Sequence, residues 1–230
     1  MLGLAVFTPL FGAVLICWIF SVCVHEYAHA LTAYVGGDKS VRDKGYLSFN
    51  FFNYVDPVLS FLIPALFLAM GGLPLPGGAV RIETDALRNK HWAALVSLAG
   101  PVANFILFLI LAALVHPQAG LVDPNRSVQP TWAVVLGAMC VLELWSVLFN
   151  LIPIPPLDGY GAVEPYLPRE SQLSARSLGW GGLIVLYFVF SYDPVVRGFM
   201  SGVNWILTGF GLPFESTWRF YNMALFGSSE

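Results

Sequence analysis

The chain has 230 residues, of which 57% are hydrophobic and 15% aromatic, and only 25 carry a formal charge at pH 7, namely 11 Lys or Arg plus 14 Asp or Glu. Soluble domains are about 25% charged, so this chain has too few charges to hydrate an ordinary globular surface. The composition excludes a disordered chain, a nucleic-acid-binding protein and a soluble enzyme. It predicts a polytopic membrane protein, and the net charge of -3 adds little because no acidic or basic tract is present.

The charges are also clustered, and the stretches between them are long enough to form membrane-spanning helices. A helix needs about 17–25 apolar residues to cross a bilayer. We therefore predict an all-α membrane protein with about 5–6 transmembrane helices, organised as one domain over 1–230 with a core at about 4–158 and C-terminal helices at about 178–211. Block 1–37 contains only Glu26, and no charge occurs in 57–80, 91–122, 127–142, 177–192 and 198–214.

The sequence of the first part of the chain predicts a long helix followed by irregular segments. The helix covers about 4–35 and ends at a glycine pair. Because its start lacks Lys, Arg and a small-residue cleavage site, we expect it to be retained rather than removed as a signal peptide. The stretch 45–56 alternates and is rich in aromatics, as a short strand or hairpin would be. The segment 57–84 has too many prolines and glycines for one helix, and its end from about 74 predicts another short extended piece.

The rest of the chain predicts further helices. They cover about 86–115 and 131–150, and prolines end the second of them. Two weaker candidates, 178–192 and 195–211, follow a loop at 159–177. The cysteines lie in apolar blocks without CxxC spacing, so neither a disulfide framework nor a thiolate metal site is predicted. These are Cys17, Cys23 and Cys140.

Basic residues indicate how the chain crosses the membrane, because Lys and Arg are enriched in cytoplasmic loops. One basic cluster follows the first helix and another precedes the second, so both are expected on the cytoplasmic side although the apolar block 57–70 lies between them. The segment 57–84 is then a re-entrant helix plus an extended piece, which requires cover from protein or a water-filled cavity. A full crossing that violates the charge bias is the alternative. The first cluster consists of Lys39, Arg42 and Lys44, and the second consists of Arg81, Arg88 and Lys90.

Three ionisable residues lie in the first helix, and such groups are functional candidates because burying them in a membrane is costly. The sequence HEYAH places His25 and His29 on one helix face, with imidazoles suited to share one tetrahedral Zn2+. Glu26 is placed to exchange protons with water that the metal activates. The alternative is a set of polar residues at a helix end. Under that alternative, each ionisable group left unpaired at the membrane centre would cost about 2.5 kcal/mol or more of free energy.

A catalytic zinc usually has three protein ligands, so one more is needed. His91 and His116 lie at predicted helix ends and are expected at the membrane interface. Asp158 is better placed, because prolines break the preceding helix and Gly159 permits a sharp turn; a turn or capping aspartate is the alternative. Asn150 ends that helix and could donate to the oxyanion of a tetrahedral intermediate, or simply cap the helix.

Glu143 lies deep in apolar sequence, two helical turns before Asn150. We interpret it as a buried proton-bearing or hydrogen-bonded residue, with a structural pairing to Asn104, Ser97 or Ser146 as the alternative, and we assign it no catalytic role. The segment AGPVANF permits close helix packing and offers the Asn104 amide for a hydrogen bond to a metal ligand.

Four segments together resemble the site-2 protease family of intramembrane zinc metalloproteases, and in particular its compact prokaryotic-type members. They are "HEYAHALTAYVGGD", "GYLSFN…YVDP", "LVSLAGPVANF" and "NLIPIPPLDG", which occur in the family's order and cover most of 21–167. An HExxH in one membrane helix followed by NxxPxxxxDG in a later one is the family's defining pair of motifs.

The resemblance implies hydrolysis of peptide bonds in or near transmembrane segments, with one Zn2+ per chain. It also implies a set of site residues, carried over by position. The family's zinc ligands correspond to His25, His29 and Asp158. Its catalytic glutamate corresponds to Glu26, and its active-site polar residue corresponds to Asn150.

The location of the site follows from the same resemblance. The three core helices would be 4–35, 86–115 and 131–152, and extended pieces at 45–56 and 74–84 would guide the substrate. The site would lie toward the cytoplasmic side of a multi-pass protein in a prokaryotic inner membrane. The expected partners are transmembrane protein substrates and the lipid bilayer, and no nucleic acid.

The chain departs from the family in two respects. No stretch has the length or polarity expected of an inserted PDZ domain or an appended CBS module. The strand before "DP" often reads LTLNP in compact relatives, whereas LSFNFF lacks the proline. Competing hypotheses are a non-proteolytic membrane protein with a structural or transported zinc, and hydrolysis of a non-protein substrate. Glu26 argues against the first, because such a site needs no glutamate beside its first ligand.

Overall fold

The computed structural model describes residues 9–56, 60, 78–122, 129–178, 181–190, 192–212 and 214–226, and the regular structure in that part of the chain is helical. This confirms the all-α prediction. The helices are α1 (Pro9–Gly36), α2 (Ser40–Asp43), α3 (Lys90–Val115), α4 (Thr131–Asn150), α5 (Asp158–Val163), α6 (Arg169–Leu178), α7 (Gly181–Phe190), α8 (Asp193–Gly209) and α9 (Phe214–Phe226). Short 3-10 turns lie at Phe51–Asn53, Thr84–Ala86, Pro117–Ala119 and Glu164–Tyr166.

Three of these helices are long and apolar enough to cross a membrane. They are α1, α3 and α4, with 28, 26 and 20 residues and mean hydropathies of 1.8, 2.4 and 2.0. At a rise of about 1.5 Å per residue, even the shortest is about 30 Å long, which matches the hydrocarbon core of a bilayer. The helices that correspond to the candidates at 178–192 and 195–211 are shorter, with 10 residues in α7 and 17 in α8. The total of about 5–6 spans therefore stays a prediction.

The helix α3 lies at the centre of the bundle. It packs against α1, α4 and the short α5, while α9 packs against α4. Phe108, Leu144 and Leu207 lie in the main core and are each less than 2% exposed. Small residues allow close approach, because a Cβ at Gly137 of α4 would overlap the ring of Phe220 on α9. Outward faces carry exposed apolar side chains, as a lipid-facing surface does, including Ile16, Phe20, Ile106 and Ile110.

The C-terminal end of α1 and the N-terminal end of α3 meet at one end of the bundle, which we call the basic end. The backbone N–H of Arg88 donates to the carbonyl of Gly36 over 2.9 Å. Lys44 Nζ lies 2.7 Å from Glu83 Oε1. The two basic clusters are therefore neighbours, as the charge distribution predicts for loops on one side of a membrane.

The segment 57–77 lies outside the described residues apart from Ser60, so its interpretation as re-entrant or crossing stays a prediction. Its flanks meet, because the backbone N–H of Ala79 donates to the carbonyl of Tyr54 over 2.9 Å. The following residues, 78–83, are non-helical and pair with no strand in the described part of the chain. The chain thus leaves and rejoins the described structure at one place beside α1.

The strand predicted at 45–56 is wrong, because these residues form turns and the 3-10 turn Phe51–Asn53. The alternation arises from ring packing rather than strand pairing: Phe49 stacks on Tyr27 of α1 with 4.8 Å between ring centroids. Asn50 accepts a hydrogen bond from the backbone N–H two residues on. Such a local side-chain bond competes with a strand ladder.

The helices also differ from the prediction in three respects. The helix expected from residue 86 begins at Lys90, because the Asn89 side chain caps it by accepting from the backbone N–H groups of His91 and Trp92. The loop expected at 159–177 contains α5 and most of α6. Finally, α9 was not predicted, since its sequence has neither a long apolar block nor a glycine stop.

Candidate metal centre

The two histidines of HEYAH share one face of α1 near the basic end. Their helical spacing of four residues places the ring centroids 4.7 Å apart and the two Nε2 atoms 3.0 Å apart. His25, Glu26 and His29 are all buried, with 6–8% of each residue exposed. The arrangement is therefore the one that the spacing predicts.

Asp158 reaches the same point from the other side of the bundle. Its Oδ2 lies 3.2 Å from His25 Nε2 and its Oδ1 lies 3.4 Å from His29 Nε2. The prolines after α4 end that helix, and α5 starts at Asp158. Gly159 makes the return possible, because a Cβ there would overlap the carbonyl of Leu151.

The three side chains fit a zinc ion. Two atoms bound to a tetrahedral zinc at about 2.0–2.1 Å are about 3.3 Å apart. The three observed separations are 3.0, 3.2 and 3.4 Å. Two imidazoles and one carboxylate are also a donor set that zinc accepts, so His25, His29 and Asp158 form a group that could bind the metal.

Hydrogen bonds on the far side of each ring direct the other nitrogen toward this point. His29 Nδ1 lies 2.6 Å from the carbonyl of Val96, and His25 Nδ1 lies 3.1 Å from Asn104 Oδ1. Since both partners are acceptors, each Nδ1 is assigned as the N–H donor and each Nε2 carries a lone pair. Two lone pairs facing each other beside a carboxylate repel, and a shared cation removes that repulsion.

A glycine on α3, Gly100, leaves room for the two histidine rings. A Cβ at Gly100 would lie 2.6 Å from His25 Cε1 and would also overlap His29 Nε2. Any other residue would therefore push α3 away from α1. A Cβ at Gly161 of α5 would lie 2.6 Å from Ser97 Oγ, so the approach of α5 to α3 depends on glycine as well.

Glu26 lies against the segment 78–83. The backbone N–H of Val80 faces its carboxylate. A Cβ at Gly78 would lie 3.0 Å from Glu26 Cγ, so the segment passes close to the side chain. Glu26 is thus placed beside the metal ligands without joining their cluster.

Asn150 and Asn104 belong to one hydrogen-bond network on the far side of His25. Asn104 Nδ2 donates to Ser146 Oγ over 2.6 Å, and Asn150 Nδ2 donates to the same oxygen over 3.3 Å. The network links α4 through Asn104 to the ring of His25. The structure therefore connects Asn150 to the centre through Ser146.

The remaining candidates lie elsewhere. His91 Nδ1 is 2.7 Å from the hydroxyl of Tyr166 at the surface, and His116 accepts from the N–H of Gln118 in a turn. Glu143 is 1% exposed on α4, and its carboxyl group faces Ser21. The hydrogen bonds of the proposed partners of Glu143 go elsewhere in the described part of the chain: Asn104 bonds to Ser146, and Ser97 Oγ donates to the carbonyl of Ala93.

A cavity of about 540 Å³ opens on the centre. Asp158 of α5, Ser97 of α3 and Thr84 contribute to its lining, together with Glu164 and Ala175. Several of these side chains are polar, so the cavity suits water. It reaches the metal-binding group at Asp158, on the side of α5 and α6.

A metal-binding group of two histidines and an aspartate, with a glutamate next to the first histidine and membrane-length helices around it, defines a membrane-embedded metallopeptidase. The model of the family described as Peptidase family M50 matches residues 13–122. With the relatives described next, this shows that the chain belongs to peptidase family M50, the site-2 protease family of zinc metalloproteases.

The most similar relatives carry names that describe zinc metalloproteases. Rip2 of Mycolicibacterium smegmatis is 38% identical over 200 residues, covering 86% of this chain and 74% of that protein. Rip2 of Mycobacterium tuberculosis is 38% identical over 86% of this chain and 73% of its own length. YwhC of Bacillus subtilis is 33% identical over 74% of this chain and 77% of its own length. No solved structure matches the chain.

Proposed function

We propose that this protein is an intramembrane zinc metalloprotease that hydrolyses peptide bonds in or near transmembrane segments of other membrane proteins. The observation that carries the proposal is the convergence of His25, His29 and Asp158 inside a bundle of membrane-length helices. Membership of the M50 family supports the same activity.

The residues of the centre have different roles in the proposed reaction. His25, His29 and Asp158 hold one Zn2+, which when bound acts as a Lewis acid on water and on the scissile carbonyl. Glu26 accepts a proton from the attacking water and returns it to the leaving amine. Glu26 is buried, and the backbone N–H of Val80 faces its carboxylate.

Asn150 is assigned as the polar group that would stabilise the oxyanion, because it matches the family motif and is linked to His25 through Ser146 and Asn104. One N–H of its side-chain amide is used by Ser146, and an amide nitrogen carries two. The second N–H donates to the oxyanion as charge develops on it.

The substrate helix must unwind before its peptide bonds can be cut, because its own hydrogen bonds shield them. The non-helical segment 78–83, which lies against Glu26, guides the unwound chain by backbone pairing. The meeting of Tyr54 with Ala79 supports a segment between them that enters and returns on one side. The cavity beside Asp158 supplies water.

The centre faces the cytoplasm of a prokaryotic cell, in a protein of about 5–6 spans. The support is the basic end: both basic clusters lie where the centre lies, and Lys and Arg concentrate on the cytoplasmic side of membranes. The partners are then membrane proteins whose transmembrane segments end near that side.

The rival function is a structural or transported zinc. A structural zinc takes four protein ligands and closes its site, whereas a water-suited cavity opens on Asp158. Glu26 has no task in a structural or transport site, and it costs free energy when it is buried in a membrane.

Cleavage of a panel of single-span substrates by the purified, reconstituted protein tests the proposal. Glu26→Gln should lower the cleavage rate at least about a hundredfold, since general acid–base catalysis contributes about 10²–10⁴. Glu215→Gln, which changes an exposed glutamate on α9, should not change the rate. Equal cleavage by Glu26→Gln and wild type would contradict the proposal, as would a zinc-loaded wild type that cuts no member of the panel.

A further inference from the structure

The segment 78–83 contacts Glu26 at one end and a buried carboxylate at the other. That second carboxylate belongs to Asp38, which lies two residues beyond the end of α1 and is 1% exposed. It lies outside HEYAH and the zinc ligands, although the segment HEYAHALTAYVGGD ends on it. A buried acid outside the centre needs a reason, because its burial costs free energy unless it is fully hydrogen-bonded.

Asp38 uses its carboxylate to hold two parts of the chain together. Oδ2 accepts from the backbone N–H of Glu83 over 2.8 Å. Oδ1 accepts from the backbone N–H and the hydroxyl of Ser40, over 2.9 and 2.6 Å. Burial by itself raises the pKa of Asp38, but these hydrogen bonds outweigh it and hold the pKa below its ordinary value. The group is therefore charged at neutral pH, when its bonds are strongest.

The position of this carboxylate is fixed by the helix that carries Glu26. The backbone N–H of Asp38 donates to the carbonyl of Ala33 in α1 over 3.0 Å. Gly37 between them has a φ of +129°, which L side chains rarely adopt. A Cβ at Gly37 would also lie 2.6 Å from the carbonyl of Ala86. Asp38 is thus a rigid extension of α1 that reaches the segment.

The neighbouring salt bridge is a weaker attachment. Lys44 Nζ contacts Glu83 Oε1 at 2.7 Å, but 62% of the Glu83 side chain is exposed. Exposed ion pairs contribute little. Lys44 Nζ also donates to the carbonyl of Arg81 over 3.0 Å, and the N–H of Ala79 donates to the carbonyl of Tyr54. Asp38 adds a buried, charged acceptor for a backbone N–H of the segment, which ties its Glu83 end to α1.

We infer that Asp38 is a positioning residue for Glu26: by holding the N–H of Glu83 it keeps the segment 78–83 against α1, so that the N–H of Val80 stays on the Glu26 carboxylate. The inference rests on the proposed proteolytic function for its effect on rate. The structural part concerns the segment alone.

Two measurements on Asp38→Ala test the inference. Hydrogen exchange of the peptide that covers 78–86 should accelerate at least about tenfold, because the Glu83 and Val80 N–H groups lose their acceptors. Cleavage should slow by about ten- to a hundredfold, the range that a displacement of about 1 Å costs, with one zinc still bound per chain. Unchanged exchange, or loss of zinc together with activity, would overturn the inference.

Further variants separate positioning from general damage. Asp38→Asn keeps an acceptor oxygen for Glu83 and should recover most of the rate. Val80→Pro removes the N–H that reaches Glu26 and should reproduce the loss, and adding Asp38→Ala to it should cost nothing more. Asp43→Ala, an exposed neighbour in α2, is the matched control. A double variant slower than Val80→Pro alone would overturn the inference.

The exchange measurement also separates this inference from the proposed function. If wild type cuts no substrate, the proteolytic function fails, and the exchange of the peptide still decides whether Asp38 holds the segment.

Discussion

At the scale of single residues, the metal centre depends on groups that orient the histidine rings. Asn104 accepts from His25 Nδ1 and is itself held by Ser146. The carbonyl of Val96 plays the corresponding part for His29. Such partners fix which nitrogen faces the metal.

Removal of the Asn104 side chain should therefore weaken zinc binding. We expect Asn104→Ala to lower zinc affinity by about 10–100-fold, the usual effect of losing a partner of a metal-bound histidine. Competition with a chelator of known affinity measures it. Ser97→Ala on the same helix is the control, because its hydroxyl bonds only to the carbonyl of Ala93; equal affinities in the two variants would contradict the role of Asn104.

The charge of Asp38 makes a pH-dependent contribution to stability. Its folded pKa lies below its ordinary value of 3.8, so the folded state binds this proton less readily than the unfolded state. The contribution is complete above pH 3.8 and is lost as the pH falls through the folded pKa. Thermal unfolding should show wild type more stable than Asp38→Ala at pH 7, with a difference that shrinks toward pH 3. A difference that stays constant would contradict this account.

The sequence predicted the histidine pair and Glu26 because helical spacing is a local property. Asp158 was favoured over His91 and His116 because they were expected at helix ends, where the structure places them. The carbonyl of Val96 could not be predicted, since a backbone group has no residue-type signal. Ser146 was expected near Glu143 and instead joins the two asparagines.

At the scale of helices, glycine sets how closely elements approach. Gly100 lies against both histidine rings, and a Cβ there would overlap them. We expect Gly100→Ala to destabilise the protein by about 1–3 kcal/mol, as overpacking does, and to lower its zinc content.

Gly202→Ala provides the matched control, because nothing lies within 4 Å of a Cβ at Gly202 on α8. Alanine in a helix is favoured over glycine by about 0.5–1 kcal/mol, so this variant should be as stable as wild type or more so. Unfolding and bound zinc, measured on both variants, check the expectation. Equal behaviour would show that α3 can retreat from the rings without cost.

Helices were predictable where they are long and apolar, and much less so elsewhere. The spans α1, α3 and α4 were expected from charge-free blocks. The polar helix α6 has no such block. The short helix α5 depends on the close contact of Gly159 with Leu151, and local helix propensity does not predict such a contact. The strand expected at 45–56 failed because ring packing on α1 produces the same alternation as a strand.

At the scale of the whole molecule, the position of the basic end predicts the orientation of the protein in the membrane. We expect Asp43→Cys to be shielded from a membrane-impermeant thiol reagent in intact spheroplasts and Gln118→Cys to be labelled, because the two positions lie at opposite ends of α3. The background carries alanine at the three native cysteines. Labelling of both after permeabilisation is the control, and the reverse pattern before it would contradict a cytoplasmic centre.

The central claim is that one zinc at His25, His29 and Asp158 works with Glu26 to cut peptide bonds. It is tested most directly by measuring bound zinc and substrate cleavage on the same purified samples. We predict one zinc per chain in wild type, with cleavage lost on chelation and restored by added zinc. Glu26→Gln should keep the zinc without cleavage, and Asp158→Ala should lose both. Cleavage that persists without zinc, or full zinc content in Asp158→Ala, would contradict the account.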